Sequence, residues 1–130
     1  MTSEVQVDPL AYGEHGVIIN TAFLAAQDGQ TGQAVYSASK AGVVGLALPV
    51  ARDLMNDGCR GNTILPVIFE RQLLLVQPDN VRQWFAVSVP IPKRLGLPNE
   101  FAAVLEMMVR STYVNGESVR VDGAIRMQPR

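Results

Sequence analysis

The run Gly16-Val17-Ile18-Ile19-Asn20-Thr21 constrains the fold of this chain more than any other stretch. It is short, apolar and opened by a glycine, as a strand buried on both faces of a parallel sheet would be. A loop rich in Gly and Gln follows, then a helical stretch expected over residues 36–56. A second strand is expected over 60–65, a short helix over 78–87, a further helix capped by Asn99, and a last strand over 119–121. Strands alternating with helices imply parallel βαβ units with right-handed crossovers. The expectation is therefore an α/β chain with about three parallel strands and helices on the faces. There is no internal repeat and no low-complexity segment.

Local signals refine the elements. Pro49 stands inside the first helical stretch, where its ring opposes the carbonyl of Gly45 and removes one hydrogen bond, so a bend is expected. Asp57-Gly58 closes that stretch, with Gly supplying a left-handed end. Gly61 and Asn62 interrupt the second strand, and both residue types weaken strands. Residues 66–77 read as a loop with an apolar patch at Leu73, Leu74, Leu75 and Val76. Val81, Trp84, Phe85 and Ser88 share a helix face, a stripe that suits core or lid packing. Residues 90–96 are a linker. Asn99 is the expected cap of the next helix, with Glu100 in its first turn and Phe101, Val104, Leu105, Met108 and Val109 inward. Asn115-Gly116 reads as a turn.

The chain has 130 residues, enough for one domain, and 48% of them are hydrophobic, enough for a core. Residues 1–15 are expected to form a loose leader, and 16–130 the folded part. A net charge of -1 argues against nucleic acid and anionic membrane as partners. The single cysteine, Cys59, excludes an internal disulfide and fits a reducing cytoplasm. Following Gly58 at a strand start, it reads as a small buried hydrophobe rather than a nucleophile. His15 has no partners for a metal site and reads as a solvated loop residue. No secretory leader and no apolar run of membrane-spanning length are expected.

Chemistry concentrates at Tyr36-Ser37-Ala38-Ser39-Lys40. Residues four apart lie one turn from each other on a helix face. That puts an ammonium beside a phenol, favours the phenolate and equips the tyrosine to trade a proton. The spacing alone also describes an ordinary helix surface. Its context is more specific: Asn20-Thr21-Ala22 upstream, Ala41-Gly42-Val43-Val44-Gly45 downstream, and the long tail Asn115-Gly116-Glu117-Ser118-Val119-Arg120-Val121-Asp122-Gly123-Ala124-Ile125-Arg126-Met127. With these residues the chain resembles the short-chain dehydrogenase/reductase family, and within it the type 2 3-hydroxyacyl-CoA dehydrogenase branch. The resemblance runs from about residue 13 to 129.

The resemblance implies the C-terminal part of a Rossmann-like, doubly wound sheet. It implies an oxidoreductase that uses NAD and acts on a small molecule, an acyl-CoA or a steroid. Tyr36 would transfer the substrate's hydroxyl proton, and Lys40 would support it while holding the nicotinamide ribose. Pro66, Val67, Ile68 and Phe69 match the loop whose backbone meets the nicotinamide. Family members are about twice this long, and their first half carries a Gly-rich turn that seats the pyrophosphate on a helix N-terminus. No Gly-x-Gly-x-x-Gly or close relative occurs here, and the family's catalytic asparagine has no counterpart.

Two departures fall on the site. In the branch resembled, a serine thirteen residues before the tyrosine holds the substrate oxygen; that position is Phe23. Phenylalanine has no donor, its ring fills the space of a carbonyl, and losing one such donor typically costs ~10²–10³ in rate. Thr21 lies ~6.6 Å away along a strand and is no substitute. The family's Pro-Gly after the second strand is Pro66-Val67 here, and a β-branched residue resists positive φ and close backbone approach. Glu70-Arg71-Gln72 replaces the expected polar turn. The expectation is an oxidoreductase by descent, truncated relative to the family and inactive as this chain. The alternative is a non-catalytic interaction module pairing with itself or with a full-length relative, because the family's dimer helix and last strand are both kept.

Overall fold

The computed structural model describes residues 13–70 and 76–128. Three strands, β1 (Gly16–Thr21), β2 (Cys59–Pro66) and β3 (Ser118–Val121), form a parallel sheet in the order β1-β2-β3. Gly16 pairs with Cys59 and Thr21 with Ile64; Thr63 pairs with Ser118 and Pro66 with Val121. Helices α1 (Ala34–Gly45) and α2 (Ala47–Asp53) join β1 to β2, and α3 (Asp79–Ser88) and α4 (Pro98–Arg110) join β2 to β3. The three parallel strands expected from the sequence are all present.

β2 is the centre. It is buried along nearly its whole length, on both faces. Thr63 and Gly61 face the α1–α2 side, where the Thr63 hydroxyl donates to the Val43 carbonyl at 3.3 Å. A Cβ on Gly61 would lie 3.1 Å from Val50 Cγ1 and 3.2 Å from the Ala51 nitrogen. Gly61 is therefore the residue that lets α2 seat directly on the sheet. Asn62 is fully buried and bridges the return loop: it donates to the Val114 carbonyl at 2.9 Å and accepts from the Glu117 N–H at 3.0 Å. Asn115 accepts from the Gly61 N–H at 2.9 Å. The two residues expected to weaken this strand instead anchor its neighbours, because tertiary partners outweigh local propensity.

The single helix expected over 36–56 starts at Ala34 and is two helices meeting at Leu46, three residues before Pro49. A short 3₁₀ turn, Met55–Asp57, completes the connection and ends on Gly58 at φ 63°, the left-handed end anticipated. By length and composition the stretch Ala34–Asp53 does reach membrane-spanning size, contrary to expectation. It is broken at Leu46, and its second half packs on β2. The last long helix is capped by Leu97 rather than Asn99. Pro98 takes the first helical position, and the Glu100 carboxylate accepts from the Leu97 N–H at 2.7 Å. Val109 is exposed rather than inward, while Met108 is fully buried. Trp84 on α3 is likewise substantially exposed.

The part of the expected leader that is described, residues 13–15, is not loose. His15 donates its backbone N–H to Gly58 at 2.8 Å, and Glu14 forms a buried ion pair with Arg60. Arg60 is 5% exposed and also donates to the carbonyls of Met108 (2.7 Å), Val109 (2.8 Å) and Val114 (3.0 Å). A cation at the C-terminal end of α4 satisfies orphan carbonyls and opposes the helix dipole. Cys59 begins β2 as expected but is half-buried. Residues 1–12 and Leu73, Leu74 and Leu75 of the apolar patch lie outside the described residues; Val76 is exposed.

Candidate active site

Leaving β1, the chain passes Ala22 and reaches Phe23 in an extended conformation (φ -161°, ψ 155°) before the short 3₁₀ turn Leu24–Ala26. Helix α1 then starts, with Tyr36 in its first turn and Lys40 one turn on. The Lys40 ammonium lies 5.8 Å from the centre of the Tyr36 ring. The Phe23 and Tyr36 rings meet edge to face, 6.0 Å between centres and 61° between planes. Tyr36 is 43% exposed.

These residues border a cleft of about 530 Å³ whose opposite wall comes from the loop after β2 and the start of α4. Pro66, Val67 and Phe69 line it, and so do Glu70, Pro98 and Phe101. Ile68 borders the adjoining cleft, of about 490 Å³, which shares Phe23, Tyr36 and Val67 with the first. Every residue singled out for the site from the sequence thus comes to one of two joined clefts. Phe101 was not anticipated at the site. Phe101 reads from sequence as one more core position of an amphipathic helix, and nothing in the pattern marks it out.

Residues 67–70, which follow β2, are firmly held. Val67 and Ile68 are each 9% exposed and belong to the core with Leu24, Val89, Leu95 and Ile125, against which Phe23 also packs. Val67 donates to the Val121 carbonyl at 3.3 Å. It avoids the left-handed region: Ala124, at φ 66°, is the only non-glycine with positive φ among the described residues. Phe69 pairs with Gly96, flanked by hydrogen bonds from Glu70 N–H to Gly96 (2.7 Å) and from Gly96 N–H to Ile68 (3.0 Å). A Cβ on Gly96 would stand 2.6 Å from the Phe69 ring, so only glycine permits this packing. The Phe69 ring in turn meets Phe101 edge to face at 5.7 Å.

Ion pairs brace the elements that carry the clefts. Arg94 grips Glu100 with two hydrogen bonds, 2.7 and 2.9 Å, at the start of α4. That guanidinium, helped by the Leu97 N–H, draws the Glu100 carboxyl down to about 2. Behind the 3₁₀ turn, Arg120 of β3 holds Asp28 and Asp122 and donates to Gln27 and Ile125, tying the tail to the loop that follows Phe23.

A tyrosine beside a lysine, in the first turn of the helix after a parallel strand, is the arrangement of the short-chain dehydrogenases. The chain belongs to that family: the sequence model described as enoyl-(acyl carrier protein) reductase matches residues 3–125, reaching into the segment expected to be a leader. It is 53% identical over 124 residues to 3-hydroxyacyl-CoA dehydrogenase type-2 of Rattus norvegicus, covering 95% of this chain and 48% of that protein. It is 35% identical over 112 residues to acetoacetyl-CoA reductase of Synechocystis sp., covering 84% and 46%. The crystal structure of 3-hydroxyacyl-CoA dehydrogenase type-2 from Mycobacterium avium superposes with a TM-score of 0.89 at 41% identity, covering 95% of this chain and 48% of that one. The chain thus spans about half the length of the relatives it matches.

Proposed function

We propose that this chain descends from an NAD-dependent 3-hydroxyacyl-CoA dehydrogenase and keeps the proton-handling pair of that site without its substrate-oxygen donor. The observation that carries the reading is the Phe23 ring packed against Tyr36 at 6.0 Å. In an active site of this type, a short hydroxyl would hold the reacting oxygen beside the phenol. A phenyl ring there offers no hydrogen bond and excludes the carbonyl by volume. Tyr36 and Lys40 could still exchange a proton, and Lys40 could still meet a ribose hydroxyl. The backbone opposite meets a nicotinamide's carboxamide poorly, because Val67 is locked in the core where a glycine would let that polar group approach. A reducing compartment such as the cytoplasm suits a chain with one cysteine.

The test is a graft. Residues 13–130 are fused behind the first half of an active relative, and acetoacetyl-CoA reduction by NADH is measured. The graft should run near background. Phe23→Ser should raise its rate by at least ~10², the effect of one oxygen-binding donor. Turnover at the parent's rate before reversion would show that Phe23 lies outside the reacting site.

A second reading, an interaction module, draws on the surface. Helix α1 buries none of its residues fully, and Val35 (86% exposed), Leu46 and Leu48 lie open on the α1–α2 side. One edge of β1 has no strand partner among the described residues, and such edges recruit other chains. Sedimentation at tens of micromolar separates the readings: a monodisperse monomer would remove this one.

A further inference from the structure

We propose that the cleft between Tyr36 and Phe101 is a binding site for a planar aromatic carboxylate. Two edge-to-face pairs stand around it, Phe23 with Tyr36 and Phe69 with Phe101. Its volume, about 530 Å³, lies within the range of small-molecule sites. The substitution that removes the oxygen donor also adds the fourth aromatic ring. The site has exchanged a polar grip on a carbonyl for a wall that suits a flat π-system.

The charge pattern selects the ligand's polar end. Lys40 lines the cleft and is half-buried, yet none of the ion pairs among the described residues includes it. Its ammonium lies 5.8 Å from the centre of the Tyr36 ring. An ammonium in a partly desolvated aromatic site gains most from an anion with two acceptor oxygens. Glu70, exposed on the opposite lip, would repel that anion and so fixes the orientation: carboxylate towards α1, ring towards Phe69 and Phe101. The field of Glu70 is shared with Arg94, which it supports electrostatically, so its repulsion at Lys40 is softened. This inference goes beyond the loss of turnover and does not depend on it, because binding is read directly.

The whole chain is titrated calorimetrically with three probes: 2-naphthoate, 2-naphthylmethanol and decanoate. Naphthoate should bind saturably with a sub-millimolar constant, and the neutral alcohol about tenfold more weakly, the effect of one charge-assisted contact. Lys40→Met should abolish that preference, Lys40→Arg should keep it, and Glu70→Gln should strengthen naphthoate alone. Circular dichroism confirms that each variant folds, and the three-probe comparison on the unaltered chain stands without them. Equal binding of naphthoate and the alcohol would overturn the role of Lys40. Decanoate binding as tightly as naphthoate would overturn the aromatic selectivity and point to an acyl chain instead. No saturable binding would overturn the site while leaving the redox reading to the graft.

Discussion

Arg120 and Asp28, 92 positions apart, are joined by a two-pronged ion pair of 2.7 and 3.1 Å that fastens the last strand to the loop beyond Phe23. Both side chains are mostly buried, at 17% and 14% exposed. Hydrogen bonding from Arg120 lowers the Asp28 carboxyl below its usual 3.8, against an opposing effect of burial. A carboxyl lowered in the folded state stabilises above its unfolded value and loses that contribution as pH falls through the folded one. Arg120→Met should cost about 1–3 kcal/mol at neutral pH, since it leaves Asp28 without its guanidinium and Asp122 with Arg126 alone. Asp28→Asn should cost less and flatten the stability profile below pH 3.8. Urea unfolding at a series of pH values checks both.

Glu100 is lowered as well. Its carboxyl, held by Arg94 and the Leu97 N–H, sits at about 2 against an ordinary 4.5. Its contribution to anchoring α4 is complete above pH 4.5 and fades as pH falls towards 2. Side-chain carboxyl NMR should place the midpoint near the lower value. Glu100→Gln should remove this contribution to the acid-range dependence and fray the first turn of α4, seen as faster amide exchange at Leu97.

The seat of α2 on β2 is sensitive to a single methyl group. Gly61→Ala would put a carbon 3.1 Å from Val50 Cγ1, with helix backbone behind it at 3.2 Å. The backbone cannot yield as a side-chain tip would, so the variant should lose about 1–3 kcal/mol. Thermal melts compared with Gly42→Ala, which has open space around it, isolate the steric effect.

Dinucleotide binding should be negligible. Tyr36 and Lys40 provide one ribose contact, which is too little to offset the loss of freedom of a large flexible ligand. Calorimetry with NADH should show no sub-millimolar affinity; a low-micromolar constant would refute this.

The alternation that opened at Gly16 and the tyrosine–lysine spacing were legible because each depends on neighbours within a turn or a strand. The bend before Pro49 and the left-handed Gly58 belong to the same class. What was hidden depends on distant partners. Asn62 reads as a strand breaker until Val114 and Glu117 arrive to satisfy its amide. Leu97 outcompetes Asn99 as the cap because Pro98 favours the first helical position and Glu100 reaches back to the Leu97 N–H. Phe101 is part of the cleft wall only because Gly96 brings Phe69 against it.

The Glu14–Arg60 pair decides where this fold can be cut. Hydrophobic pattern alone would draw the edge of the domain at Gly16, with everything earlier dispensable. A piece starting there would enclose a guanidinium with no counter-ion, a defect worth about 3–5 kcal/mol in buried pairs. Grafts, tags and deletion series should therefore keep the chain intact through Glu14, or a loss of folding at that edge will be mistaken for a loss of function.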